Sequence, residues 1–572
     1  VTRPEIRRAL WALCILAGIW AYATLLTGGF IIDVGEWRLS SRNPINPLML
    51  CIVSGLPAWW LSRKNGRNEG LALWRWCQAR IPVVLAAAAA FELVVLFRHV
   101  SIGLDPYPLA HPDVFTAVPP LKRFALPLLL AAGIGVLSVA ASKASKLVAH
   151  PRRTVAAVFL LGLALHLAMI ASLRQGFPAF AERAISSGHG DFLHQAVTVE
   201  DLGATLENYE PYARQSVYLS GKGPGVLLFF RGLKIVANSA VLRPLLDLVA
   251  PSAAAVRPWL TRRGVPPESP HAGQKVEEMR YLLALMFVLF PVLTFLPVFL
   301  IFWVGRTFVD ETFGLLAAMV YVVTPEASLS IAHLDFALYP LLAIGTVAPF
   351  VIGVRQQRLR YVAASAVVFM LFFVTTLAAV SAVAMLMAYL GCDAWQRIRR
   401  RDTPVIVTSD VARVLGVFGL VCGLALTSLY FAIDFHPIER YSYAHEVQRN
   451  WITSTYDLFW VVENTLGYFL SFGLVQTALL IVQLGRSALR VLAATADGIA
   501  LLAVAWLCLL LALLAFGRQH GETNRLWAFL SPVGCLIVAR YIYDVIPSRR
   551  WWLPMLLFFV SLVLMRYRLS YF

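Results

Sequence analysis

Residues 186–230 read SSGHGDFLHQAVTVEDLGATLENYEPYARQSVYLSGKGPGVLLFF and hold the richest set of chemically useful side chains in the chain. Asp191 stands beside Phe192 and close to His189 and His194; Glu200, Asp201, Glu207, Tyr209, Glu210 and Tyr212 follow. A carboxylate held at a membrane surface among histidines and aromatic rings can take a proton from a hydroxyl nucleophile, and aromatic faces suit sugar rings. The same residues also suit a solvated acidic helix face that Asp191 merely caps. Next, SGKGPG sets glycines around Lys222 in front of an apolar helix. That pattern fits either a lipid-phosphate contact or a plain helix start.

Three further constellations carry ionisable groups. TPEASLSIAHLDFALYP holds Glu326, His333 and Asp335 between two apolar blocks. Ionisable groups at membrane depth are costly and are usually functional or paired, although a polar turn in water would also account for them. FHPIERYSYAHEVQRNWITSTYDLFWVVENTLGYF interleaves His436, Glu439, Arg440, His445, Glu446, Arg449 and Asp457 with five aromatics, Tyr441, Tyr443, Trp451, Tyr456 and Trp460. It suits a cleft or an interfacial belt. Glu463 and Asn464 lie a turn or so inside the apolar block that follows. In FGRQHGETNRLWAFLSP, Arg518, His520, Glu522 and Arg525 bracket the start of a span. They suit either a phosphate head group or a Glu522–Arg525 pair at a helix N-terminus.

The elements that must position these residues are membrane helices. The chain has 572 residues, of which 59% are hydrophobic and only 14% charged. The apolar residues come in blocks near the ~20 residues that cross a bilayer, and such blocks must be helical because lipid cannot satisfy backbone polar groups. The spans expected are 9–30, 46–62, 81–97, 123–141, 154–173, 279–304, 313–331, 336–354, 361–374, 376–392, 411–433, 457–483, 496–516, 525–545 and 551–567. The block 361–392 is too long for one ordinary span, and both its flanks are basic. Two short helices turning at Thr375 and Thr376 resolve this. The basic start followed by an apolar run is read as an uncleaved first span.

The formal charge of +17 is a positive-inside bias rather than a nucleic-acid footprint, because the arginines sit in short loops between apolar blocks. Arg3, Arg7, Arg8, Arg63, Lys64, Arg152, Arg153, Arg355, Arg358, Arg397 to Arg401, Arg486, Arg490, Arg549 and Arg550 all fall on one side under a single assignment. That side is expected to be the cytoplasm, with the N-terminus on it. The long polar segments 31–45, 99–122, 174–278, 434–456 and 517–524 then lie outside. The chain divides into N-terminal helices 1–173, an outer loop 174–278 and C-terminal helices 279–572. In the loop, residues 223–242 suit an interfacial helix interrupted by Arg231 and Lys234. The Pro-rich stretch 251–273 suits an irregular loop. The seven cysteines show no CxxC spacing, so neither a disulfide framework nor a metal knuckle is expected. There is no P-loop, GxSxG, HExxH or Rossmann glycine pattern.

Taken in order, GDFLHQAV with YEPYARQSVYLSGKGPGVLLF, then VYVVTPEASLSIAHLDFALYPLLA, TSTYDLFWVVENTLGYFLSFG and GETNRLWAFLSPV resemble the GT-C superfamily of membrane glycosyltransferases. The pattern resembles uncharacterised bacterial members and the dolichyl-phosphate-mannose protein mannosyltransferase-like group. The resemblance runs from about residue 28 to 532. The chain departs from it at Gly221–Gly225, where many members carry His-Pro-Pro-Gly, and in the five spans before the GDF segment.

The resemblance implies an all-α bundle of roughly 13–15 transmembrane helices in a bacterial inner membrane, with catalytic loops in the periplasm. It implies an inverting transfer of a sugar from a polyprenyl-phosphate donor to a glycan, lipid or protein acceptor. Asp191 would be the general base. Lys222, Arg518 and Arg525 would receive the phosphate, and Asp335 and Glu522 would orient sugar or acceptor. His194, Tyr209, Glu463 and His520 complete the expected binding set. No metal ligand is assigned; a divalent cation at clustered carboxylates is compatible, but no spacing demands one. Two other readings stay open: an O-antigen-type ligase or polymerase, and a lipid-linked glycan flippase or secondary transporter. Mid-span charges and paired repeats would favour the flippase or transporter.

Overall fold

The computed structural model describes residues 125–143, 150–172, 178–185, 190–214, 219, 221–329, 333–400, 403–452, 458–516 and 527–568, with isolated pieces of 6–57 and 103–108. The chain forms two compact units, Val1–Val118 with Val563–Tyr571, and Pro119–Leu562. The described part of the first unit carries two antiparallel ribbons, β1 (Phe30–Val34) with β2 (Trp37–Ser41) and β3 (Gly103–Leu104) with β4 (Tyr107–Pro108). Both lie in stretches expected as polar loops.

The second unit is helical. It opens with α1 (Ala125–Lys143) and α2 (Pro151–Ala171). Seven shorter helices follow: α3 (Pro178–Ile185), α4 (Gly190–Thr198), α5 (Leu202–Glu207), α6 (Tyr209–Ala213), α7 (Pro224–Ala237), α8 (Arg243–Leu246) and α9 (Ala253–Arg262). Apolar helices return with α10 (Ala272–Phe295), α11 (Pro297–Phe308) and α12 (Glu311–Val322), then the short α13 (Pro325–Leu329) and α14 (Leu334–Ala337). After them come α15 (Tyr339–Gln356), α16 (Leu359–Thr375), α17 (Val380–Arg399), α18 (Pro404–Ile433) and α19 (Pro437–Ile452). The chain ends with α20 (Leu458–Phe472), α21 (Leu474–Leu492), α22 (Gly498–Phe516), α23 (Ser531–Val545) and α24 (Trp552–Arg568).

Among the described residues, seven helical stretches are long and apolar enough to cross a bilayer, and four shorter helices are comparably apolar. The outward face of the unit is apolar too. α18 is 30 residues long with 11% of its most apolar window buried, and Leu129, Val136, Leu424 and Phe431 are exposed. Water would penalise such a surface, and hydrocarbon does not. The chain is a multi-pass, helical membrane protein.

Several sequence expectations change in detail. The turn at Thr375 and Thr376 is present: α16 stops at Thr375, Thr376 is extended (φ −153°, ψ 139°), and a 3-10 turn leads into α17. The span expected over 457–483 breaks at Gly473, whose φ of +103° a side chain rarely tolerates. The span expected over 313–331 ends early. α12 has 12 residues, about 18 Å of helix, and Pro325 restarts the chain as α13. The span expected over 279–304 is longer, running from Ala272 to Phe308 with a break before Pro297.

Residues 251–273 are an irregular loop only in part, over 263–271; Ala253–Arg262 form α9. Ser252 caps α9 by accepting from the Ala255 amide at 3.3 Å, and Val256, Trp259 and Leu260 form a buried stripe at helical spacing. The helix expected over 223–242 forms over Pro224–Ala237 as α7, with turns from Asn238 on. It buries Val226, Leu227, Phe230 and Leu233 and packs against α4 and α10.

Contacts at the two ends of the unit differ in kind. At one end Arg400 donates to the Ala494 carbonyl (2.9 Å) and Gln396 to the Ala496 carbonyl (2.7 Å). Beside them Arg490 and Arg540 share Asp497 and Asp544. At the other end of α17, about 30 Å away for its 20 residues, Thr376 pairs with Lys222. The expected basic loops 397–401 and 486–490 therefore share an end, and the residues of interest gather at the opposite one.

Candidate functional site

Asp191 lies in the first turn of α4 and lines a cavity of about 500 Å³ with His194, Gln195, Thr198, Val199, Tyr212 and Arg263. The cavity depends on the local sequence. α4 buries Phe192, Leu193, Ala196 and Val197, which turns Asp191, His194 and Thr198 to the other side. Gly190 lets the helix start lie against Trp259: a Cβ there would sit 2.6 Å from the indole and 2.7 Å from the Ile185 carbonyl. Trp259 packs edge-on to His194 at 6.2 Å, and the Arg263 guanidinium lies over its ring at 5.4 Å.

Arg263 forms an ion pair with Asp191. The pair is partly shielded, with side-chain exposures of 30% for Arg263 and 15% for Asp191. Burial, helped by the nearby Lys275 charge, holds the His194 imidazole below its ordinary pKa, while a backbone contact at Arg263 opposes this. Burial raises the Tyr212 phenol, so it stays a neutral hydroxyl on the cavity wall.

A second cluster adjoins the first. The Tyr209 ring is 6.0 Å from that of Tyr212, and its hydroxyl donates to the Lys222 carbonyl at 3.2 Å. The Lys222 ammonium donates to Asp335 and to the Tyr339 hydroxyl, both at 2.7 Å. Lys222 is 12% exposed and Asp335 2%. The glycines of GKGPG fit the segment against α16. Gly223 donates its amide to the Thr375 carbonyl at 3.3 Å, and a Cβ on Gly223 or Gly225 would lie 2.2 or 2.8 Å from the Val374 carbonyl oxygen. Only glycine permits that approach.

Glu210 pins this loop to α19 through Arg440 at 3.0 Å, and the Arg440 side chain is fully buried. Burial raises the Glu210 carboxyl above its ordinary value, although Arg440 pulls it down. Asp201 caps α5 by accepting from the Ala204 amide at 3.0 Å. The acidic stretch is thus divided among a cap, a tether and the cavity.

Of the sequence candidates, the structure brings Asp191 and His194 into one cavity. It brings Tyr209, Lys222 and Asp335 into the cluster beside it. Glu463 lies in α20, with its side chain outside the described set, and Arg518, His520, Glu522 and Arg525 lie outside the described residues. Among the described residues no group of three or more His, Cys, Asp or Glu side chains is placed to hold a metal ion.

Sequence reasoning missed Arg263 and Tyr339. Arg263 sits in the Pro-rich stretch, and only the Val256–Trp259–Leu260 spacing hints that a helix presents it. Sequence reasoning put Arg440 in a segment that suits a cleft or an interfacial belt, without naming its partner. The third constellation otherwise gives His436 on Asp434 at 3.2 Å and Arg214 over Tyr443 at 4.6 Å.

Deeper in the unit, Ser531 at the start of α23 donates to Glu326 of α13, which is 4% exposed. One residue pair along, the Ser328 carbonyl meets His166 Nδ1 of α2 at 2.7 Å. These contacts anchor the segment that leads to Asp335.

The fold and the site thus define a multi-pass helical membrane protein with a carboxylate–arginine cavity beside a buried lysine–aspartate pair. No protein-family model, curated protein or solved structure matches the chain.

Proposed function

We propose that the protein is a GT-C-type membrane glycosyltransferase that moves a sugar from a polyprenyl-phosphate donor to a glycan, lipid or protein acceptor by inverting displacement. The observation that carries this reading is Asp191 in a cavity of about 500 Å³ walled by Tyr212, His194 and Arg263, at the end of a membrane bundle. Its size suits a hexose unit with an acceptor hydroxyl. Asp191 takes the proton of the acceptor hydroxyl. The lipid phosphate is already a good leaving group, so the protein has to supply a base, a cation and alignment. Asp335 and Lys222 act next to the cavity as one unit and orient its wall through Tyr209.

The basic end of the bundle, with Arg400, Arg490 and Arg540, supports a cytoplasmic placement for that end, and the cavity then faces the periplasm. A bacterial inner membrane is the setting that the resemblance implies, and a cytoplasmic N-terminus is the positive-inside reading of the sequence. An O-antigen-type ligase or polymerase is the second reading, favoured by an arginine and a histidine sharing the cavity. It differs in moving a whole glycan rather than one sugar.

The test is transfer from a panel of radiolabelled polyprenyl-phosphate sugars to crude periplasmic acceptor by the purified chain in detergent, beside Asp191→Asn. Wild type transfers one sugar unit, and the variant loses about 10²–10⁴-fold in rate while keeping its fold. Wild-type rate in Asp191→Asn would remove the base assignment. Transfer of intact glycans alone would favour the ligase reading, and no transfer from any donor would count against both.

A further inference from the structure

We propose that Arg263 is the anion receptor of the Asp191 cavity: the phosphate of a lipid-linked substrate draws the guanidinium off Asp191, and the carboxylate so released becomes the base. The inference rests on the sugar-transfer reading and deepens it.

The ion pair itself poses the problem. A carboxylate held by a guanidinium is a weakened base, and a guanidinium held by a carboxylate is a poor phosphate ligand. An inverting displacement also sets the attacking hydroxyl and the leaving phosphate on opposite faces of the sugar carbon. The base and the group that holds the phosphate must then flank the sugar, so they cannot stay in contact. The resting Asp191–Arg263 pair has to part when the sugar enters.

The surroundings of Arg263 fit that exchange. It is the one cation among the described lining residues of the cavity. Lys222, the other candidate nearby, is held by Asp335 and Tyr339 at 2.7 Å each. Arg263 follows the last turn of α9 and precedes Gly264, whose φ is +84°, so its side chain springs from the end of a helix rather than the middle of one. The Trp259 face at 5.4 Å gives the guanidinium an apolar support on either side of the exchange. A planar fork suits phosphate as well as carboxylate, which makes the two competing ligands for one group.

The step balances. The acceptor O–H proton passes to Asp191, and the acceptor oxygen bonds to the sugar carbon. The carbon–oxygen bond to phosphate breaks, with its electron pair going to the phosphate. Polyprenyl phosphate remains on Arg263 and leaves with its lipid chain.

Binding can be read without sugar or acceptor. Polyprenyl phosphate is titrated into the full chain in detergent and followed by native mass spectrometry and by Trp259 emission, with Trp259→Phe as the blank. Inorganic phosphate and phosphatidic acid are titrated in parallel. The expected results are tighter binding of polyprenyl phosphate than of either control, a Trp259-dependent change of emission, and a loss of roughly tenfold or more in affinity in Arg263→Gln. Arg263→Lys keeps part of the affinity. Asp191→Asn binds polyprenyl phosphate more tightly than wild type, because the competing carboxylate charge is gone.

Unchanged affinity in a folded Arg263→Gln, or weaker binding in Asp191→Asn, would overturn the proposal. Equal binding of inorganic phosphate or phosphatidic acid would overturn the assignment to a lipid-linked polyprenyl substrate. Binding through Arg263 with no sugar transfer would remove the transferase reading alone. Transfer that survives Arg263→Gln at full rate would remove this inference alone.

Discussion

Lys222 and Asp335, 113 positions apart, meet at 2.7 Å where Asp335 is all but sealed from solvent. The pair joins the segment just before α7 to α14 and so fixes the loop helices to the membrane bundle. Burying two charges is offset only by their mutual attraction and by the Tyr339 hydroxyl.

Breaking that pair on one side leaves a buried charge alone. Lys222→Met or Asp335→Asn should each destabilise the protein by about 3–5 kcal/mol. The double variant Lys222→Met/Asp335→Leu should recover most of the loss. Thermal unfolding of the four proteins in one detergent checks this, and additive losses in the double variant would refute coupling.

Gly223 should tolerate no side chain. A Cβ there falls 2.2 Å from the Val374 carbonyl, and both contacting elements are backbone. Gly223→Ala should cost about 1–3 kcal/mol. Gly221→Ala is the control, since a Cβ at Gly221 meets nothing within 4 Å. The difference in unfolding midpoint between the two variants is the readout.

Acid should loosen the cavity through His194. Burial keeps its folded imidazole below the ordinary value of 6.5, so the unfolded chain binds that proton more readily. The stability tied to neutral His194 is full above 6.5 and is lost as pH falls through and below it. His194→Gln should flatten that part of the profile. Unfolding midpoints measured between about pH 5 and 8 test the sign, and a wild type that gains stability on acidification relative to His194→Gln would contradict it.

Glu326 and Ser531 clasp α13 to the start of α23. Glu326→Gln keeps an acceptor for Ser531 and removes a buried carboxyl, so it should change stability little. Glu326→Ala leaves a void and an unpaired hydroxyl, and should cost about 2–4 kcal/mol. If the loss in Glu326→Ala also lowers transfer while Glu326→Gln restores it, the clasp positions the Asp335 segment. Equal stability of the two variants would deny it that role.

Much of this protein was legible from its sequence. Apolar run lengths marked the helices, because lipid leaves a backbone no other way to satisfy its hydrogen bonds. The basic flanks of 361–392 marked the turn at Thr375, and the apolar run GPGVLLFFRGLKIVANSAVL, interrupted by Arg231 and Lys234, marked α7. Helix limits were less legible where a local device intervened, such as the positive φ of Gly473 or the restart at Pro325.

Asp191, His194, Lys222 and Asp335 stood out by type, since charged groups are rare in such a chain. Their partners did not. Sequence carries no signal that Arg263 reaches Asp191, that Lys222 closes on Asp335, or that Arg440 meets Glu210 from 230 positions away. Hydropathy and charge act along the chain and decide which segments become helices and which ends turn basic. Which side chains then touch is decided across helices, by the packing of α4, α7, α9 and α15 and by the close backbone approach that Gly190 and Gly223 permit. That information exists only in the folded arrangement.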